Sequence, residues 1–161
     1  MKILLISDTH GKTVALEALL EQYANEVQAV CHMGDHEDDL LKFQRNYPQL
    51  NMFAVKGNCD YSFSTPQEQI LTGDKRILMV HGHQQGVKMG LDRLAYYAKE
   101  KAVDACFFGH THQPFQGVIG SVFMMNPGSL TQPRGAAKQK SYGLVEISRE
   151  SKEIKGEIIL L

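Results

Sequence analysis

The chain has 161 residues, 43% of them hydrophobic and 22% charged, with 14 Gly and 5 Pro. That near-average composition excludes a disordered, collagen-like or linker-dominated protein and fits one domain spanning residues 1–161. Lys and Arg (17) almost balance Asp and Glu (18), giving a formal charge of −1 with histidine neutral, so there is no polybasic footprint for extended nucleic-acid or anionic-lipid contact.

In chain order, Lys2 to Ser7 (KILLIS) reads as a strand that meets the polar turn Asp8-Thr9-His10-Gly11, and residues 13 to 24 carry apolar residues at helical spacing. Residues 27 to 33 read as a second strand closed by Gly34-Asp35. The acidic run Glu37-Asp38-Asp39 then opens a helix expected through Asn46, its carboxylates read as a solvated helix start facing the positive end of the dipole. Pro48 stops that helix, and residues 51 to 55 form a strand ending at Lys56-Gly57-Asn58. Residues 62 to 73 read as a loop. Residues 76 to 80 form a strand ended by His81-Gly82-His83, a loop over 84 to 90 leads to a helix over 91 to 101, and a strand over 103 to 108 ends in Gly109-His110-Thr111-His112. Strands over 121 to 125, 142 to 148 and 153 to 161 complete a strand-rich C-terminal third, with Asn126-Pro127-Gly128-Ser129 as a turn and 131 to 140 as an exposed loop. Alternating strands and helices predict a layered α/β fold with mostly parallel central sheets flanked by helices.

No apolar run approaches the roughly 20 residues of a membrane span or the 7 to 15 of a signal core. The three cysteines, Cys31, Cys59 and Cys106, are odd in number and lack a C-x-x-C pair, which argues against a disulfide framework and a thiolate zinc site and fits a cytoplasmic protein.

All seven histidines fall between His10 and His112, and five polar turns recur at five strand ends: Asp8-x-His10, Gly34-Asp35, Gly57-Asn58, His81-Gly82-His83 and Gly109-His110-Thr111-His112. Parallel strands would bring these turns to one sheet edge, where open α/β folds place their ligands. Carboxylate, imidazole and amide oxygen without thiolate suit Mn, Fe, Zn, Co or Ni better than Ca. The number of candidate ligands exceeds one tetrahedral site, so two metals sharing a carboxylate is the economical reading, with Asp35 as the bridge.

The ordered set D-x-H, G-D, G-N, H-G-H and G-H-x-H resembles the calcineurin-like metallophosphoesterase superfamily and its small YfcE-like phosphodiesterase branch, over nearly the whole chain. The resemblance implies one metal on Asp8, His10, Asp35 and His112 and another on Asp35, Asn58, His81 and His110, with Mn as first choice. It also implies catalytic roles for Asp35, Asn58 and Asp60, and substrate contacts from Cys59, His83 and Arg134. A small phosphodiester would bind the cationic centre and undergo in-line attack by metal-activated hydroxide. Two divalent ions would move the formal charge from −1 to +3. Many superfamily members carry His after the ligand Asn, whereas this chain has Cys59, a weak donor without positive charge. Protonation of a leaving alkoxide would then fall to His83, His36 or water.

Other residues have plainer readings. His32 is expected to support the site or pack, His36 is left open, and Asn126 and Ser129 are expected to shape a turn. Arg134 is balanced between a solvated loop cation and a phosphate clamp. The main functional alternatives are a phosphomonoesterase or nuclease using the same centre, or a non-catalytic scaffold like the retromer subunit of this fold. A C-terminal edge strand could pair across a homo-oligomer.

Overall fold

The chain, described by a computed structural model over residues 1–136 and 138–161, is layered by the alternation of its first strand. In β1 (Lys2–Ile6) Leu4 and Ile6 face one apolar cluster, while Ile3 and Leu5 face another. This period-two alternation puts both faces of the strand in the core. The first cluster is closed by α1 (Val14–Tyr23), through Leu16, Leu19, Leu20 and Tyr23. The strand is followed on one side by β2 (Ala29–His32) and β3 (Asn51–Ala54), both parallel. On its other side lie β9 (Ser141–Ile147), antiparallel to β1, and β10 (Ile154–Leu160), antiparallel to β9, giving the order β10-β9-β1-β2-β3.

A second sheet has the order β4-β5-β6-β8-β7, built from β4 (Glu68–Thr72), β5 (Arg76–Val80), β6 (Ala105–Phe107), β7 (Pro114–Ile119) and β8 (Val122–Pro127). Its central strands β5, β6 and β8 are parallel and its edges antiparallel. Ile77, Met79, Phe107 and Met125 pack onto Ile3, Leu5, Cys31 and Met33 of the first sheet. The opposite face is covered by α3 (Asp92–Glu100), with Leu94 and Ala98 against Leu78, Cys106 and Phe108. The result is helix, sheet, sheet, helix, with the parallel strands on one side of the first sheet and in the middle of the second.

Three local expectations are corrected. The helix expected through Asn46 is only the single turn α2 (Asp38–Leu41), after which Phe43, Gln44 and Asn46 bond three residues back in tight turns. The segment read as a loop contains β4, and β7 occupies residues left unassigned. Both are half-exposed edge strands, where polar residues, an initial Pro114 and an interior Gly117 are tolerated. The loop over 131 to 140 has neither helix nor strand among its described residues, and Ala137 lies outside them.

One polar contact ties a helix to its sheet. The hydroxyls of Tyr23 on α1 and Tyr142 on β9 lie 2.8 Å apart and are buried. Tyr142→Phe should strand the Tyr23 hydroxyl and lower stability by about 1 kcal/mol, read as a reduced denaturation midpoint at unchanged slope.

Candidate metal centre

The carboxyl ends of β1, β2, β3, β5 and β6 meet at one edge of the sandwich, and the backbone there is forced out of ordinary geometry. Asp8, His10, Asp35, His110 and His112 all have positive φ, between 47° and 67°. Such left-handed residues cost on the order of 1 to 3 kcal/mol each and persist where surrounding contacts over-determine them. Here the contacts are cross-turn hydrogen bonds: Asp8 N–H donates to Gly34 O at 3.0 Å and Gly109 N–H to His81 O at 3.1 Å. His110 N–H donates to Asp8 Oδ2 at 3.2 Å. Two glycines make room. A Cβ on Gly34 would sit 2.6 Å from Gly57 N and 2.8 Å from His81 Nδ1, and one on Gly57 would enter the Asp35 carboxylate.

Seven candidate ligands were read from the sequence, and six converge in two overlapping groups. Donor atoms of Asp8, His10, Asp35 and His112 lie within 4.8 Å of one another, as do those of Asp35, His81 and His110. Asp35 belongs to both. Asn58 is exposed and its amide donates to Cys59 Sγ at 3.3 Å. The Cys59 N–H beside it donates to Asp35 Oδ1 at 2.9 Å.

The tautomers indicate what the groups can hold. His112 Nδ1 faces the Gln132 carbonyl at 2.7 Å and must donate, because a carbonyl only accepts. With Nδ1 carrying the proton, Nε2 presents its lone pair 3.1 Å from Asp8 Oδ1, a fully buried oxygen without a hydrogen-bond partner. His81 Nδ1 likewise donates to Met33 O at 2.6 Å, leaving Nε2 3.4 Å from Asp35 Oδ1 and 3.1 Å from His110 Nδ1. Electron-rich atoms that face one another in a buried site call for a cation. The donor set, imidazole and carboxylate without thiolate, fits a borderline divalent transition metal.

The electrostatics agree. Burial lowers the pKa of His10 and pushes His110 down to about 4, the latter helped by neighbouring His81. Both imidazoles are therefore neutral at pH 7, with lone pairs free. Burial would raise the Asp35 carboxyl, but the hydrogen bond from His81 and that from the Cys59 amide hold it well below the usual carboxylate range. Burial opposes a proton on His81, yet the Asp35 carboxylate outweighs it and raises its pKa.

Around the ligand groups lie supporting residues, of which Glu37 and Asp39 were not recognised in sequence and Asp60 was expected in a catalytic role. Asp60 accepts from the N–H groups of Gly57 (2.7 Å), Asp35 (2.9 Å) and His36 (2.6 Å), which fixes both strand-end turns and makes it a positioning group. Glu37 and Asp39 are buried, against the expectation of a solvated helix start. Asp39 accepts from Thr9 Oγ1 and Gly11 N, both at 2.8 Å, and so holds the Asp8-to-Gly11 turn. Burial and the adjacent Asp60 carboxylate raise Glu37 to about 7. His32, fully buried and held down to about 4 by that burial, accepts from Gly34 N–H at 3.0 Å and passes its own proton to Thr9 Oγ1 at 3.0 Å. It buttresses the centre, as expected. Asn126 shapes its turn as expected, its Oδ1 accepting from Gly128 N–H at 2.9 Å. In addition the Asn126 amide donates to Gly109 O at 2.9 Å and the Ser129 hydroxyl to Asp8 O at 2.8 Å, tying that turn to the ligand turns. The signal available for Asp39 and Asp60 was only their nearness to Asp35 and Asn58 in sequence.

The other candidates sit at the rim. The His83 ring lies 5.4 Å from that of His81 and 6.0 Å from that of His110, with a buried Nδ1 that has no partner. Cys59 is exposed, and burial and the nearby Asp35 carboxylate raise its thiol pKa, so it is a thiol at pH 7. His36 is exposed, its ring 5.7 Å from that of His10. Arg134 donates its backbone N–H to His112 O at 3.0 Å and is among the residues lining an adjoining cavity.

Comparison with known proteins places this arrangement in context. Residues 1–150 match the calcineurin-like phosphoesterase superfamily domain. The probable metallophosphoesterase YsnB of Bacillus subtilis is 34% identical over 157 residues, covering 96% of this chain and 89% of that protein. Phosphodiesterase YfcE of Escherichia coli is 28% identical, covering 91% of this chain and 88% of that one. A Vps29 variant from Entamoeba histolytica superposes with a TM-score of 0.78 at 23% identity, covering 100% of this chain and 99% of the other, a likeness of fold.

The facing lone pairs yield a test that needs no substrate. Asp8→Asn places an amide donor opposite His112 Nε2 and should stabilise the metal-free protein by about 1 kcal/mol. The same change should abolish the rise in melting temperature that Mn²⁺ gives the wild type, as measured by thermal unfolding with and without the ion.

Proposed function

Because the chain belongs to the calcineurin-like phosphoesterase superfamily, we propose that it is a metal-dependent phosphodiesterase acting on small phosphodiesters at a dinuclear centre. One observation carries this reading: a single buried carboxylate, Asp35, is shared by two ligand groups, one of which holds an unpartnered buried carboxylate oxygen on Asp8. Asp8, His10, Asp35 and His112 would hold one ion, and Asp35, His81, His110 and Asn58 the other, with Mn favoured over Fe, Zn, Ni or Co. Bound divalent ions supply Lewis acidity towards the phosphoryl oxygens and an activated water at neutral pH.

The chain's own groups do the rest. His10 and His110, kept neutral by burial, add no charge, so the two carboxylates Asp8 and Asp35 leave the loaded centre cationic and attractive to a phosphate anion. Asp60 fixes the backbone that carries Asp35, and the Cys59 N–H fixes one oxygen of its carboxylate. His83, whose ring lies 5.4 Å from that of His81, is our candidate for exchanging a proton with a leaving alkoxide that Cys59 cannot serve. Small substrate size follows from the near-neutral chain. The resemblance to Vps29 is one of fold, and the alternative of a non-catalytic scaffold is disfavoured by the buried, mutually oriented ligand set, which such a role does not require.

Mn-loaded wild type should hydrolyse bis(p-nitrophenyl) phosphate and contain two Mn per chain by elemental analysis, with one retained in His112→Ala. Asp35→Ala should lose at least about 10³-fold in kcat/KM. Equal rates in wild type and variant would overturn the reading. Cys59→His should raise the rate on alkyl diesters, whose leaving group needs a proton, by about 10²-fold, and change aryl diesters little, as a leaving-group series would reveal.

A further inference from the structure

Next to the centre is a cavity of about 380 Å³ whose walls include Val87, Leu91 and Phe115 and whose rim carries Lys88, Thr111 and Arg134. It is continuous with the ligand turn. Thr111 lies between His110 and His112, and the Arg134 backbone is bonded to His112 O. Lys88 lies in the single helical turn Val87–Met89, which borders the cavity. Phe115 is half-buried against Phe108, ring centroids 6.2 Å apart, so one part of the ring is fixed and the rest faces the cavity.

The charges at the rim are of one sign. Neither Lys88 nor Arg134 has an ion-pair partner among the described residues, and both are exposed. Apolar walls accept a flat hydrocarbon surface, and a cavity of this size admits one substituted ring. Two unpaired cations at its mouth favour a ligand that carries negative charge beyond the ring. Arg134 is exposed and lines this cavity, so its charge is available to a ligand seated there.

Resting on the phosphodiesterase reading, we propose that this cavity binds the retained arm of the phosphodiester and selects an aromatic arm bearing a second negative charge.

Three diesters that share p-nitrophenolate as leaving group but retain a methyl, a phenyl or a 4-carboxyphenyl arm isolate the effect, because the bond broken is the same in each. With Mn-loaded wild type, kcat/KM should rise about tenfold from methyl to phenyl and about fivefold more with the carboxylate. In the double variant Lys88→Gln/Arg134→Gln the ratio between the two aryl substrates should fall to about one. A methyl diester cleaved as efficiently as the aryl ones, or a carboxylate preference that survives the double variant, overturns the cavity assignment while leaving the phosphodiesterase reading intact. Cleavage of none of the three overturns the phosphodiesterase reading. The cavity is then judged by calorimetry with the Mn-loaded protein: 4-phosphonobenzoate should bind about fivefold more tightly than phenylphosphonate in wild type only, and equal affinities overturn it.

Discussion

The carboxyl edge of the molecule depends on where the Asp35 carboxylate is held. Its backbone is left-handed, its amide is gripped by Asp60, one of its oxygens accepts from Cys59 N–H and faces His81, and the other lies 4.0 Å from His10. These restraints come from four different strand ends, β1, β2, β3 and β5, so its position is set by the relation of two sheets and not by any one loop. Displacing it would dissolve both ligand groups at once, because it is the member they share.

That arrangement is unfavourable in isolation. Five ligand residues with positive φ, a buried carboxylate oxygen without a partner, and two carboxyl groups, Glu37 and Asp60, close enough to contend for a proton would each destabilise the fold. The opposing contribution comes from the three apolar clusters, whose innermost members in β1, β5 and β6 are fully buried. Function is concentrated at one edge, and the rest of the sandwich supplies the rigidity that edge requires.

The ligand set was legible in the sequence because each candidate directly ends an apolar strand, and parallel strands deliver their ends to the same side. The two sheets were less so. β4 and β7 are edge strands whose polar or Gly- and Pro-containing sequences lack the alternation that marks a core strand. Asp39 and Glu37 look in sequence like any acidic helix start; Asp39 is buried against the Thr9-to-Gly11 turn, about 28 residues away, and Glu37 lies against Asp60 and Thr65. His32 was legible as a support residue from its mid-strand position, whereas the network it joins, from Gly34 through Thr9 to Asp39, becomes visible only when β1 and β2 lie side by side.

The ligands are drawn from both layers of the sandwich: Asp8, His10 and Asp35 follow strands of the first sheet, and His81, His110 and His112 follow strands of the second. An ion in either group would therefore rivet one sheet to the other at a single margin, while the opposite margin relies on side-chain packing and the exposed Arg149–Asp74 pair. Parting of the layers at the riveted margin would depend on the ambient concentration of the metal, and parting at the far margin would not. Metal supply would thus govern how the molecule breathes as well as what it can cleave.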